Sequence, residues 1–72
     1  MKKEALLKAL GKRIRSIRTE NGITQADLAS AIGKDQQSIQ RLEAGNVNPS
    51  FYYLVEVAIG LDVTVDRLIK DL

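Results

Sequence analysis

The sequence predicts an all-α protein, a compact bundle of five short helices. Three observations carry that expectation. Apolar residues recur at spacings of three and four, the period of one helix face, and no stretch reads as a strand. Thr24, Asp35, Ser50 and Thr64, all residue types that cap helix N-termini, each stand just before such a run. Gly and Asn-Gly steps follow the runs and leave connections of about two to six residues, normal for a small helical domain. With 72 residues, 44% hydrophobic and 28% charged, the chain reads as one domain over residues 1–72, too apolar for disorder.

The first helix is expected over residues 3–20. Leu6, Leu10, Ile14 and Ile17 share one face, and most other positions are Lys or Arg. Gly11 interrupts the run at a cost of about 1 kcal/mol relative to Ala, which leaves room for a fray or break there. Asn21-Gly22 ends the run, since both residues tolerate positive φ. Thr24, with Asp27 three positions on, opens a second helix through an acidic capping box. Its buried face is Leu28, Ala29 and Ile32, and Gly33 falls where a terminating glycine belongs.

After the turn at Lys34-Asp35, Asp35 caps a third helix. Ile39 and Leu42 point inward, Gln37, Gln40, Arg41 and Ala44 point outward, Gln36 projects from the start and Glu43 sits at the edge. Gly45-Asn46 stops it. Ser50 caps a fourth helix, in which Phe51, Leu54, Val57, Ala58 and Leu61 share the core face. Thr64 caps a fifth, running to about Lys70, with Leu68 and Ile69 packing back. On the fourth helix Tyr52, Val55 and Ile59 form a second apolar stripe opposite the core, and Glu56 is the only charge. A helix apolar nearly all round is normally covered on both sides. The stripe therefore predicts a homodimer interface at Tyr52, Val55 and Ile59; the alternative cover is Leu6 and Leu7 of the same chain.

Composition removes whole classes of function. Neither His nor Cys is present, so the commonest general base and the best nucleophile are missing, and an enzyme is not expected. No disulfide and no metal site other than a purely carboxylate one can be built, and Asp62, Asp66 and Asp71 lack the spacing of a calcium loop. No cofactor and no small-molecule ligand is indicated. No run approaches the roughly 18 apolar residues of a membrane span. The short run Ala5-Leu6-Leu7 stops at Lys8, so no signal peptide is read and a cytoplasmic location is expected. The net charge is only +2, but seven of the 11 basic residues (Lys2, Lys3, Lys8, Lys12, Arg13, Arg15, Arg18) fall within residues 1–18 beside one acid, Glu4. A basic end on an acidic body suggests a polyanion partner.

Residues 24–44 carry the functional signal. Two short helices separated by Gly33-Lys34-Asp35 make a helix-turn-helix, whose second helix is the one presented to a DNA major groove. The outward set on that helix, Gln36, Gln37, Gln40 and Arg41, contains amides and a guanidinium and no carboxylate. Gln can bond adenine N6 and N7, and Arg guanine O6 and N7. Ordinary solvent faces mix Glu and Lys instead.

The run Gly22-Ile23-Thr24-Gln25-Ala26-Asp27-Leu28-Ala29, followed by Ser38-Ile39, Leu42-Glu43-Ala44-Gly45, Asn48-Pro49 and Leu54, resembles the Cro/CI-type (XRE-like) helix-turn-helix domains. That family includes lambdoid phage repressors and restriction–modification controller proteins, and the resemblance covers about Leu10 to Ile69. It implies a lambda-repressor-like fold and a transcriptional regulator, a repressor or controller, that binds double-stranded DNA at a palindromic operator as a homodimer. By position it implies that Gln25 bonds a phosphate and braces Gln36. Gln36, Gln37 and Arg41 would read bases, Ser38 and Gln40 would flank the groove, and Asn46 and Asn48 would touch the sugar–phosphate backbone. Arg18 and Glu43 match the family's buried ion pair. Asp35, the apolar Phe51-Tyr52-Tyr53 and a first helix begun about seven residues early depart from the pattern, and residues 1–9 take no role from it. The competing readings are an antitoxin-like or other protein-interaction module on the same fold, and a membrane-surface anchor formed by the basic first helix.

Overall fold

In the computed structural model, which describes residues 2–72, the chain forms α1 (Lys3–Glu20), α2 (Gln25–Ala31), α3 (Gln36–Glu43), α4 (Phe51–Gly60) and α5 (Val65–Ile69). No strand occurs among the described residues. Each of α2 to α5 begins as its capping residue dictates. Thr24 and Asp27 form a full capping box, and the side chains of Asp35, Ser50 and Thr64 accept from the backbone N–H of Ser38, Tyr53 and Arg67. α2 ends in a paired terminating turn. The Lys34 N–H donates to the Ala29 carbonyl and the Gly33 N–H to that of Ser30, with Gly33 at φ +70°, a left-handed conformation that favours glycine.

Leu10, Ile14 and Ile17 of α1, Leu28 and Ala29 of α2, Ile39 and Leu42 of α3, Val57 and Ala58 of α4, together with Leu61 and Leu68, close into one core. α3 is held between α2 and α1, while α5 packs on α1 and α4. The outward side of α3 is thus left clear by the elements that anchor its inner side.

Four expectations need correction. The helix does not break at Gly11. That residue is buried, and a Cβ there would stand 2.8 Å from the Leu42 carbonyl oxygen and nearer still to that of Glu43, so the missing side chain lets α1 cross the end of α3 backbone to backbone. Phe51 is 71% exposed rather than in the core, because at the first position of α4 it precedes the layer that begins one turn later with Leu54. Ile69 is also exposed; only Leu68 of that pair packs inward. Leu6 lies beyond the buried length of α1 and is exposed, and with Leu7 it borders Leu54, Ile69 and Leu72 rather than the Tyr52 stripe.

Candidate nucleic-acid interface

The turn at Gly33 and the cap at Asp35 decide which way α3 faces. Asp35 Oδ1 accepts from both the backbone N–H and the hydroxyl of Ser38, at 2.8 Å each. These donors hold the Asp35 carboxyl below its ordinary range. They also use the Ser38 hydroxyl internally, and Ser38 itself is half-buried near the start of the helix. With Ile39 and Leu42 sealed in the core, Gln36, Gln37, Gln40 and Arg41 all emerge exposed. α3 carries one acid, Glu43, and it turns inward.

Glu43 is the hub of the site. Its carboxylate accepts from Arg18 Nε at 2.6 Å and Arg18 Nη2 at 2.9 Å, a two-pronged pair whose side chains are only 9% and 4% exposed. Arg18 Nη1 donates to the Ile23 carbonyl at 2.9 Å, which ties down the chain just before α2. The bond to Glu43 raises the Arg18 pKa and outweighs the opposing effect of burial, so the guanidinium stays charged. Gln25 Nε2 donates to Glu43 Oε1 at 3.0 Å. α1, the start of α2 and the end of α3 thus meet on one carboxylate.

That geometry corrects the expected brace between Gln25 and Gln36. The hydrogen bond Gln25 makes is to Glu43, because the doubly bonded carboxylate is a stronger acceptor than a neutral amide. Gln25 and Gln36 do border one open recess, shared with Arg15, Thr19 and Thr24. Thr19 does not stand out in the sequence, and Arg15 does so only as one member of the basic run in residues 1–18. Asn46 and Asn48 are exposed in the loop between α3 and α4. The Asn46 N–H donates to the Arg41 carbonyl, and Asn48 borders the separate apolar recess of Leu6, Leu7 and Pro49.

On the far side, Tyr52 and Ile59 are each 73% exposed and Val55 is half-buried, so the described chain leaves most of that stripe uncovered, and Phe51 widens it. Tyr53, next to it, turns inward under Lys34, whose Nζ lies 5.4 Å from the ring centroid. Its hydroxyl is buried with no hydrogen-bond partner among the described residues, and burial, aided by Glu56, pushes the phenol pKa up. No helix is long and apolar enough to cross a membrane, and no cluster of metal-ligating side chains occurs among the described residues.

A helix-turn-helix family model (HTH_3) matches residues 14–68. The HTH-type transcriptional regulator y4dJ of Sinorhizobium fredii is 34% identical over 62 residues, which cover 86% of this chain and 80% of that protein. Among solved structures, the restriction–modification controller protein C.AhdI from Aeromonas hydrophila superposes with a TM-score of 0.86 at 33% identity, covering 89% of this chain and 97% of that one. A second controller protein, solved as a tetramer on its natural 35-base-pair operator, gives 0.78 at 29% identity, covering 90% and 96%.

Proposed function

This chain belongs to the HTH_3 family of helix-turn-helix transcriptional regulators, a DNA-binding family and not a class of enzymes, and from that membership we propose that it reads a specific double-stranded DNA operator through the major groove as a homodimer. One observation carries the reading: α3 offers Gln36, Gln37, Gln40 and Arg41 outward, while its single carboxylate is turned away and neutralised by Arg18. A face of amides and a guanidinium matches base edges, and a carboxylate among them would repel the flanking phosphates. In this proposal Gln36, Gln37 and Arg41 contact bases, with Ser38 and Gln40 at the margin. Gln25, Asn46 and Asn48 position the domain on the backbone.

The dimer forms through Tyr52, Val55 and Ile59, joined by Phe51. Tyrosine suits such a surface because it has a large apolar ring and a polar tip. Pairing two copies also stabilises a chain that has neither disulfide nor metal. It sets two recognition helices about 34 Å apart on a palindromic site. The operator-bound controller protein supports the reading by likeness of fold and sequence. In vitro selection of bound DNA is the direct test. Gln37→Ala or Arg41→Ala should cost about 1–3 kcal/mol on the selected site and relax preference at one base pair each. Equal losses on every sequence would show that neither residue reads a base. Ile59→Asp should sediment as a folded monomer, and a dimer that persists refutes the interface.

A further inference from the structure

α1 carries six basic residues, Lys3, Lys8, Lys12, Arg13, Arg15 and Arg18, of which Arg13 and Arg18 are engaged within the described chain. Arg13 donates to the Arg67 carbonyl at 3.0 Å, and Arg18 is committed to Glu43. Lys8 and Arg15 make no salt bridge and no side-chain hydrogen bond among the described residues, and both are exposed. Their positions are set by the crossing at Gly11. Lys8 lies three residues before it and Arg15 four after, the two offsets that share a face with it on a helix. Since Gly11 abuts the Leu42 and Glu43 carbonyls, Lys8 and Arg15 emerge beside α3, about 10 Å apart along α1.

Each has a neighbour that fixes its place. The Lys8 backbone packs against Gly45, where a Cβ would lie 2.9 Å from Lys8 Cα, so this lysine stands at the C-terminal end of α3, next to Asn46. Arg15 borders the recess of Gln25 and Gln36, at the other end of the site. Among carboxylates, Glu43 is neutralised by Arg18, and Asp35 is engaged by Ser38; Glu4, one turn before Lys8, is the acid nearest in sequence on this helix.

We propose that Lys8 and Arg15 are backbone-contacting residues of the DNA interface, gripping phosphates on either side of the groove that α3 occupies. The inference rests on the DNA-reading proposal above and gives the first turns of α1, where Lys8 lies, a purpose in it. Two unneutralised cations bordering a groove-reading helix match the charge of a phosphate backbone, and their surface is continuous with that of Gln25, Gln36 and Asn46. Contacts of this kind set affinity and register without selecting sequence.

The test measures affinity for a selected duplex and a random duplex across salt for wild type, Lys8→Gln, Arg15→Gln and the double variant. Lys70→Gln, an equal charge change on the far end of α5, is the control. For every phosphate that is no longer neutralised, the slope of log affinity against log salt should fall by about 0.9. The ratio of affinities at 50 and 200 mM salt then shrinks about 3.5-fold per phosphate and about 12-fold for the double variant, on both duplexes alike. Lys70→Gln should leave it unchanged. Slopes that stay at the wild-type value, or that shift equally in the Lys70 control, overturn the proposal. A Lys8→Gln protein that melts lower but keeps its salt slope assigns Lys8 to stabilising the end of α3 and overturns its part. A wild type that binds neither duplex at low salt refutes the DNA reading itself, a failure distinct from the other two.

Discussion

Replacing Glu43 by Ala should cost this domain a large share of its stability. The substitution removes the acceptor of three hydrogen bonds at once: two from Arg18 and one from Gln25. Arg18 would keep only the Ile23 carbonyl, while its side chain remains 9% exposed. Breaking a buried pair by removing one partner costs about 3–5 kcal/mol. The guanidinium reaches water at its edge, which favours the lower end, about 3 kcal/mol. A chain of 72 residues has roughly 4–11 kcal/mol in all, at the usual 0.05–0.15 per residue. In a domain of this size the loss corresponds to a fall in Tm of about 12–24 °C, read by far-ultraviolet circular dichroism. The double variant Arg18→Met, Glu43→Leu should recover most of it, because an apolar pair of similar volume leaves no charge stranded. A Glu43→Ala protein melting within about 4 °C of wild type would refute the reasoning, since by the same conversion the pair would then contribute about 1 kcal/mol or less.

Three further outcomes follow from the packing and the caps. Gly11→Ala should destabilise the fold, because overpacking against the Leu42 and Glu43 carbonyls costs about 1–3 kcal/mol while the gain in helix propensity is about 1 kcal/mol; a higher urea midpoint would show that α1 and α3 do not cross so closely. Tyr53→Phe should be neutral or stabilising by about 1 kcal/mol, since it removes an unpartnered buried hydroxyl and keeps the ring under Lys34; a clear loss in thermal melting would mean that the hydroxyl has a partner. Asp35 and Asp27 have lowered pKa values in the fold, so their stabilisation is complete above the ordinary value of 3.8 and is lost as pH falls through the lowered ones. Asp35→Asn, which keeps a capping oxygen that cannot titrate, should flatten the acid loss in urea midpoints, and an unchanged acid profile would contradict the cap's part in it.

The candidate site is legible in the sequence at the level of residue types and faces. Gln36, Gln37, Gln40 and Arg41 can be placed outward because a helical repeat of about 100° per residue fixes their bearing once Ile39 and Leu42 are assigned inward. The partner of Gln25 is not legible. Gln25 has Gln36 and Glu43 within its surroundings, and the choice depends on where α1 brings Arg18, a position 25 residues before Glu43 in the chain. The role of Gly11 is hidden for the same reason: local propensity registers only the weakness of glycine in a helix, whereas its use lies in another helix's backbone.

Local chemistry alone therefore determined that this chain is five helices, where each of the last four begins, and which side of α3 faces out. Caps and terminating glycines act over a few residues, and nothing distant in the fold overrides them here. Tertiary structure decided the rest: that Gly11 is a crossing point, that Phe51 and Ile69 stay exposed, that Glu43 gathers Arg18 and Gln25, and that Lys8 and Arg15 border α3. Each of those depends on which helix lies opposite. A helical repeat specifies the direction in which a side chain leaves its own helix, but not what meets it there.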